Sequence, residues 1–174
     1  GIRSSKLFLF GYFAMLMLAG GLLLWVLPTW AGEGELGLID ALFTSVSAVA
    51  VTGLITMNTA YFSPLGQAII LVLIQLGGLG IMTLGTFLLI LVGRRLRMQD
   101  EFVIRDSLGH IRMRGLSSLL AGAVVFTFLF EIIGGLAIAA RLVNRHDFEP
   151  DKALYHGIFH AVSAFCNAGF SFYA

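Results

Sequence analysis

Apolar residues run with little interruption through residues 7–27, 64–93 and 117–140. Each run is long enough to cross a bilayer, which takes about 20 helical residues at about 1.5 Å rise each. Pro64 suits the first turn of the second run, where its missing N–H removes no helix bond. Two more apolar runs, 38–49 and 153–165, are too short to span. Non-spanning backbone at membrane depth survives only where protein or a water-filled cavity satisfies its polar groups, so both short runs are predicted to be half-helices followed by a return loop. The order is span, half-helix, loop, span, and then it starts again. The expected fold is an all-α integral membrane protein built from span, re-entrant loop, span repeats. Residues 1–93 form a full repeat, 94–116 a linker, and 117–174 a second repeat that stops after its loop.

The short runs end in copies of one pattern. FTSVSAVAVTGL at 43–54 and FHAVSAFCNAGF at 159–170 lie 116 positions apart, with identities at Phe43/Phe159, Val46/Val162, Ser47/Ser163, Ala48/Ala164 and Gly53/Gly169. A glycine at that point takes backbone angles closed to other residues and lets successive carbonyls turn toward one axis, where a dehydrated cation can sit. The pair therefore reads as a duplicated pore loop.

Composition agrees with a membrane setting, since 58% of residues are hydrophobic and 12% charged, against roughly 25% charged in soluble domains. The single cysteine, Cys166, excludes an internal disulfide framework, and a net charge of +1 gives no case for nucleic acid as a partner. Charge placement gives an orientation in the cell membrane. Arg3 and Lys6 precede the first span, and Arg94, Arg95, Arg97, Arg105, Arg112 and Arg114 fall between the second and third, so the N-terminus and residues 94–116 are expected to be cytoplasmic. The opposite connection carries Glu33 and Glu35, with Trp25 and Trp30 placed for an outer interfacial belt.

In this orientation each half-helix enters from outside and points its carbonyl end, with its partial negative charge, at mid-membrane. Ala50, Val51, Thr52 and Gly53, and in the second copy Cys166, Asn167, Ala168 and Gly169, are then expected to return outward in extended form, with their backbone carbonyls replacing the hydration shell of potassium. Ser47 and Ser163 share a repeat position and are read as support for the loops, because serine in a helix commonly bonds a nearby carbonyl. Glu131 lies inside the third span, where an unpaired carboxylate is costly; it is read as a hydrogen-bond anchor for the second half-helix and its loop, with a direct place on the ion path as the alternative. Gln75, Gly77, Gly78 and Gly80 read as a close helix-packing surface. His156 and His160 stand four apart with Cys166 nearby, but no zinc-binding pattern accompanies them, so no transition-metal site is expected.

With QLGGLG at 75–80 joining the two loop motifs in this order, the chain resembles the Trk, Ktr and HKT potassium-uptake superfamily, most closely its Ktr-type membrane subunit. The resemblance implies a non-enzymatic pore of four such repeats on one polypeptide, each giving one glycine-bearing filter wall, with potassium as transported ion, sodium as a further candidate, and no covalent cofactor. It implies that this chain is the N-terminal portion, unable to conduct selectively as a monomer. The implied partners are the remaining repeats of the same pore, a second full-length subunit in a homodimer, and a cytosolic nucleotide-binding regulatory ring. Anionic lipid is expected at the arginines of 94–116 from their charge. The competing reading is a membrane scaffold or assembly subunit that transports nothing.

Overall fold

The structure, a computed structural model, describes residues 2–99, 114–145 and 148–173, with side chains over 10–81, 121–145 and 148–173. The described residues form five α-helices in order: α1 (Ile2–Val26), α2 (Leu38–Val49), α3 (Pro64–Gln99), α4 (Arg114–Asn144) and α5 (Pro150–Phe165). A 3-10 turn, Thr59–Tyr61, precedes α3. The described residues contain no β-strand, only an isolated antiparallel bridge between Trp30 and Phe62.

Prolines mark the starts of α3 and α5. Pro64 opens α3, and Ser63 before it accepts the Gly66 N–H on its hydroxyl at 3.3 Å, an N-cap bond. Pro150 opens α5, with Asp151 in the first turn where a negative charge meets the positive end of the helix dipole. That start lies three residues before the one expected from the apolar run, because hydrophobicity marks the buried stretch and proline marks the first turn.

Helices α3 and α4 contain the stretches Pro64–Ile81 and Ala121–Asn144, both long and apolar enough to cross a membrane. Helix α1 covers the first expected span. The outer face of α4 presents Val125, Phe126, Leu129, Ile132, Ile133 and Leu136, more than a third of each exposed. An uncovered apolar face of that extent suits lipid or further helices rather than water. Helix α3 runs on through Arg94, Arg95 and Arg97 to Gln99, so the start of the expected linker continues the helix. The remainder of the linker, with Arg105 and Arg112, lies outside the described residues.

Packing repeats as the sequence does. Helix α2 lies mainly against α1 and α5 mainly against α4, while α3 touches α1, α2 and α5 and joins the two pairs. Gly157 on α5 sits directly on the Gly135 carbonyl of α4, a contact that leaves no room for a Cβ. The buried core gathers where the short helices end: Val49, Ile70, Ile74, Phe159, Cys166, Ala168 and Phe170 form one cluster. On the side where α3 begins, Trp30 packs edge-on against Phe62 at 5.2 Å, and Ala31 N–H donates to the Tyr61 carbonyl at 2.8 Å, which closes the α1–α2 connection over the start of α3.

Candidate functional site

Helix α2 has 12 residues, about 18 Å, short of the roughly 30 Å hydrocarbon thickness. Its last residue, Val49, rests against Gly77, whose place on α3 is about 20 Å along the helix from Pro64. Cys166, the residue after α5, rests against Gly78, one position further on. The two short helices thus end at the same level beside one turn of α3.

Both ends fold alike, bond for bond. After α2, Ala50 N–H donates to Val46 at 2.8 Å, Val51 N–H to Ala48 at 3.3 Å, and Thr52 N–H to Ser47 at 3.0 Å. After α5, Cys166 N–H donates to Val162 at 2.9 Å, Asn167 N–H to Ala164 at 3.0 Å, and Ala168 N–H to Ser163 at 2.7 Å. This is a Schellman ending, in which the two residues after the cap turn back to satisfy the last helical carbonyls. Its left-handed position is Val51 (φ 57°) in one copy and Asn167 (φ 60°) in the other, and Gly53 (69°) and Gly169 (74°) repeat a positive φ two residues on. The loops are therefore not extended from their first residue, as the sequence suggests. Ala50 and Cys166 are still helical in φ and ψ, and the left-handed residue makes the turn.

That turn orients carbonyls. In a trans peptide the C=O points opposite the N–H, and the described residues contain no cis bond. The N–H groups of Val51 and Thr52 face the helix end, so the carbonyls of Ala50 and Val51, on the same two peptides, face away from it. The same holds for Cys166 and Asn167. The helix dipole adds partial negative charge at this end.

The loops then meet at their glycines. A Cβ added to Gly53 would stand 2.6 Å from the Ala168 carbonyl oxygen and 3.1 Å from Gly169 Cα. Side chains hold each loop from behind in different ways. Thr52 donates its hydroxyl to the Ser47 hydroxyl at 3.0 Å. Ala168 takes the place of Thr52 in the second copy, and there Ser163 donates to the Phe170 carbonyl at 2.7 Å. Glu131 on α4 is 4% exposed and accepts from Gln75 Nε2 at 3.2 Å, with Cys166 Sγ 3.8 Å away. Its partners are thus α3 and the first residue of the second loop. His160 binds the His156 carbonyl through Nδ1, a bond within α5.

The site residues expected from sequence fall in these two loops and the groups around them. Sequence reasoning passed over Val51 and Asn167 as turn-makers. Asparagine tolerates the left-handed region and could have signalled it; β-branched valine there is an outlier that no propensity points to. Gln75 was read as part of a packing surface, and nothing in its spacing named Glu131 as its partner.

Residues 21–174 match the family described as TrkH, cation transport protein. Among curated proteins, the potassium/sodium uptake protein NtpJ of Enterococcus hirae is 36% identical over 162 residues, 92% of this chain and 35% of that protein. The Ktr system potassium uptake protein B of Bacillus subtilis is 34% identical over 162 residues, again 92% and 35%. Its counterpart in Vibrio alginolyticus is 36% identical over 149 residues, 85% of this chain and 32% of that protein. The chain spans about a third of the length of these relatives. The matched residues take in both loops and the helices that hold them, and the chain belongs to the TrkH family of cation transport proteins, a family of transporters rather than enzymes.

Proposed function

We propose that this chain supplies two adjacent walls of a potassium-translocating pore. The backbone carbonyls of Ala50, Val51, Thr52 and Gly53 in one wall, and of Cys166, Asn167, Ala168 and Gly169 in the other, take over the coordination of a dehydrated ion. The observation that carries this reading is the pair of bond-for-bond equivalent loops meeting at Gly53 and Gly169. The N–H groups of Ala50, Val51 and Thr52, and of Cys166, Asn167 and Ala168, are spent on the helix ends, so the carbonyls that face away remain for a cation, and no side-chain charge is needed. Potassium is the cargo we infer, with sodium as a second one, since the Enterococcus relative is named for both. Residues 1–93 act as one span, pore-loop, span repeat and 117–174 as the span and pore loop of a second, and further repeats of the same pore complete the ring. The N-terminus and 94–116 face the cytoplasm, where the arginines meet anionic lipid and, in a homodimer of full-length subunits, a nucleotide-binding regulatory ring. In the full-length protein, rubidium or potassium flux after reconstitution is the deciding measurement; absence of flux leaves the scaffold reading in its place.

Glu131 has a sharper test. Glu131→Leu leaves Gln75 Nε2 and the Cys166 thiol without their acceptor, and an unsatisfied buried donor costs about 1–3 kcal/mol. Flux and thermal stability of the full-length protein are expected to fall together. Glu131→Gln keeps an oxygen for Gln75 and is expected to retain most of both. If the Gln variant keeps its stability yet loses transport, Glu131 acts through its charge on the ion path and the anchor role is wrong.

A further inference from the structure

Resting on that pore reading, we propose that His160 is a positioning residue: as a neutral imidazole it latches the segment that leaves the second loop onto α5, and protonation releases the latch. The tautomer follows from the bonding. Nδ1 lies 2.7 Å from the His156 carbonyl, which can only accept, so Nδ1 carries the hydrogen. Nε2 is then bare. It accepts the Phe172 backbone N–H at 3.3 Å and the Ser171 hydroxyl at 3.3 Å. Ser171 Oγ in turn accepts the Tyr173 N–H at 3.0 Å. The Phe172 ring stacks on Phe159 at 4.1 Å and stands edge-on to His160 at 5.3 Å. A proton on Nε2 would set one donor against another at Phe172 and remove the acceptor that orders Ser171. These residues directly follow Phe170, whose carbonyl Ser163 holds, so the exit of the loop loses its anchor while its helix end keeps one.

The device belongs to one loop alone. The position equivalent to His160 in the first copy is Thr44, buried, with a hydroxyl that finds no partner among the described residues. The titratable rings facing His160 are His156 on its own helix, 6.2 Å between centres, and Tyr173 on the latched segment, 4.9 Å away. From α4 the titratable side chain at this loop is Glu131, bound to Gln75 and Cys166.

The test is rubidium uptake by cells expressing the full-length protein, with external pH stepped from about 8 to about 5. Uptake by the unaltered protein is expected to fall severalfold in acid. In His160→Gln the side-chain oxygen can still accept from Phe172 but cannot titrate, so the acid fall should vanish; in His156→Gln it should persist. An acid fall that survives in His160→Gln, moves to His156, or is absent from the unaltered protein overturns the latch. His160→Phe, with no acceptor at all, should give low uptake at both pH values if it folds. The potassium to sodium uptake ratio of Gly53 and Gly169 variants, measured at one pH, tests the pore reading separately.

Discussion

Gly53→Ser in the full-length protein is expected to lose most of its preference for potassium over sodium, and Gly169→Ser to lose less. Both glycines hold positive φ, 69° and 74°, where any side chain costs roughly 1–2 kcal/mol. If that strain is relieved by moving the loop, it corresponds to about a tenfold change in ion discrimination, since 1.4 kcal/mol is tenfold. The two sites differ in what a Cβ would meet. At Gly53 it would press on the Ala168 carbonyl oxygen at 2.6 Å, one of the proposed ligands, and on Gly169 Cα at 3.1 Å. At Gly169 it would meet only Gly53 Cα, at 3.2 Å. Serine at 53 therefore displaces both walls and serine at 169 mainly its own. The measurement is the ratio of potassium to sodium uptake for both variants in parallel. Unaltered ratios in both would remove the loops from the ion path. A larger loss at 169 would mean the walls do not meet as described.

How much of this was legible in the sequence depended on whether a signal was local. Helix α2 begins and ends where the apolar run does, because Gly37 before it and the Schellman turn after it are sequence-local stops. The equivalence of the loops was legible too, through five identities at one offset, and the structure repeats it in bonds between residues that differ: Val51 with Asn167, Thr52 with Ala168. What could not be read was the conformation of the first loop residues. The extended return expected from the motif ignored that helix-end carbonyls need donors, and the loop N–H groups are the nearest ones.

Contacts between elements were the other gap. Glu131 was conspicuous as a buried carboxylate in an apolar helix, yet its partners come from positions 56 residues before and 35 after it. No periodicity links residues so far apart. The histidine pair shows the same limit. Its spacing of four carried no zinc-binding pattern, and nothing in it named the backbone and hydroxyl groups that hold both His160 nitrogens.

The other large effect is expected at Gly77, which the sequence places on a close helix-packing surface without naming what packs there. A Cβ there would overlap the carbonyl oxygen of Val49 and stand 2.7 Å from its carbonyl carbon and 2.8 Å from its Cα. All three are backbone atoms of the residue that leads into the first loop, so they cannot step aside by a rotamer change. Either α3 retreats or the end of α2 moves, and overpacking of this kind typically costs 1–3 kcal/mol even where neighbours can adjust. At Gly78 the atom met first is the Cys166 sulfur at 2.7 Å, a side-chain atom, though its Cβ follows at 3.1 Å. At Gly122 nothing among the described residues lies within 4 Å, and alanine there should add helix propensity of up to about 1 kcal/mol. The expected order of thermal stability in the detergent-solubilised full-length protein is thus Gly122→Ala highest, Gly78→Ala lower, and Gly77→Ala lowest, by about 3 kcal/mol or more from the first. Gly77→Ala should also blur potassium selectivity in whatever protein remains folded, because the helix end that aims Ala50 and Val51 has shifted. If Gly77→Ala proved as stable and as selective as Gly122→Ala, α3 could not be seated on the end of α2, and the common level at which the two loops begin would have no support.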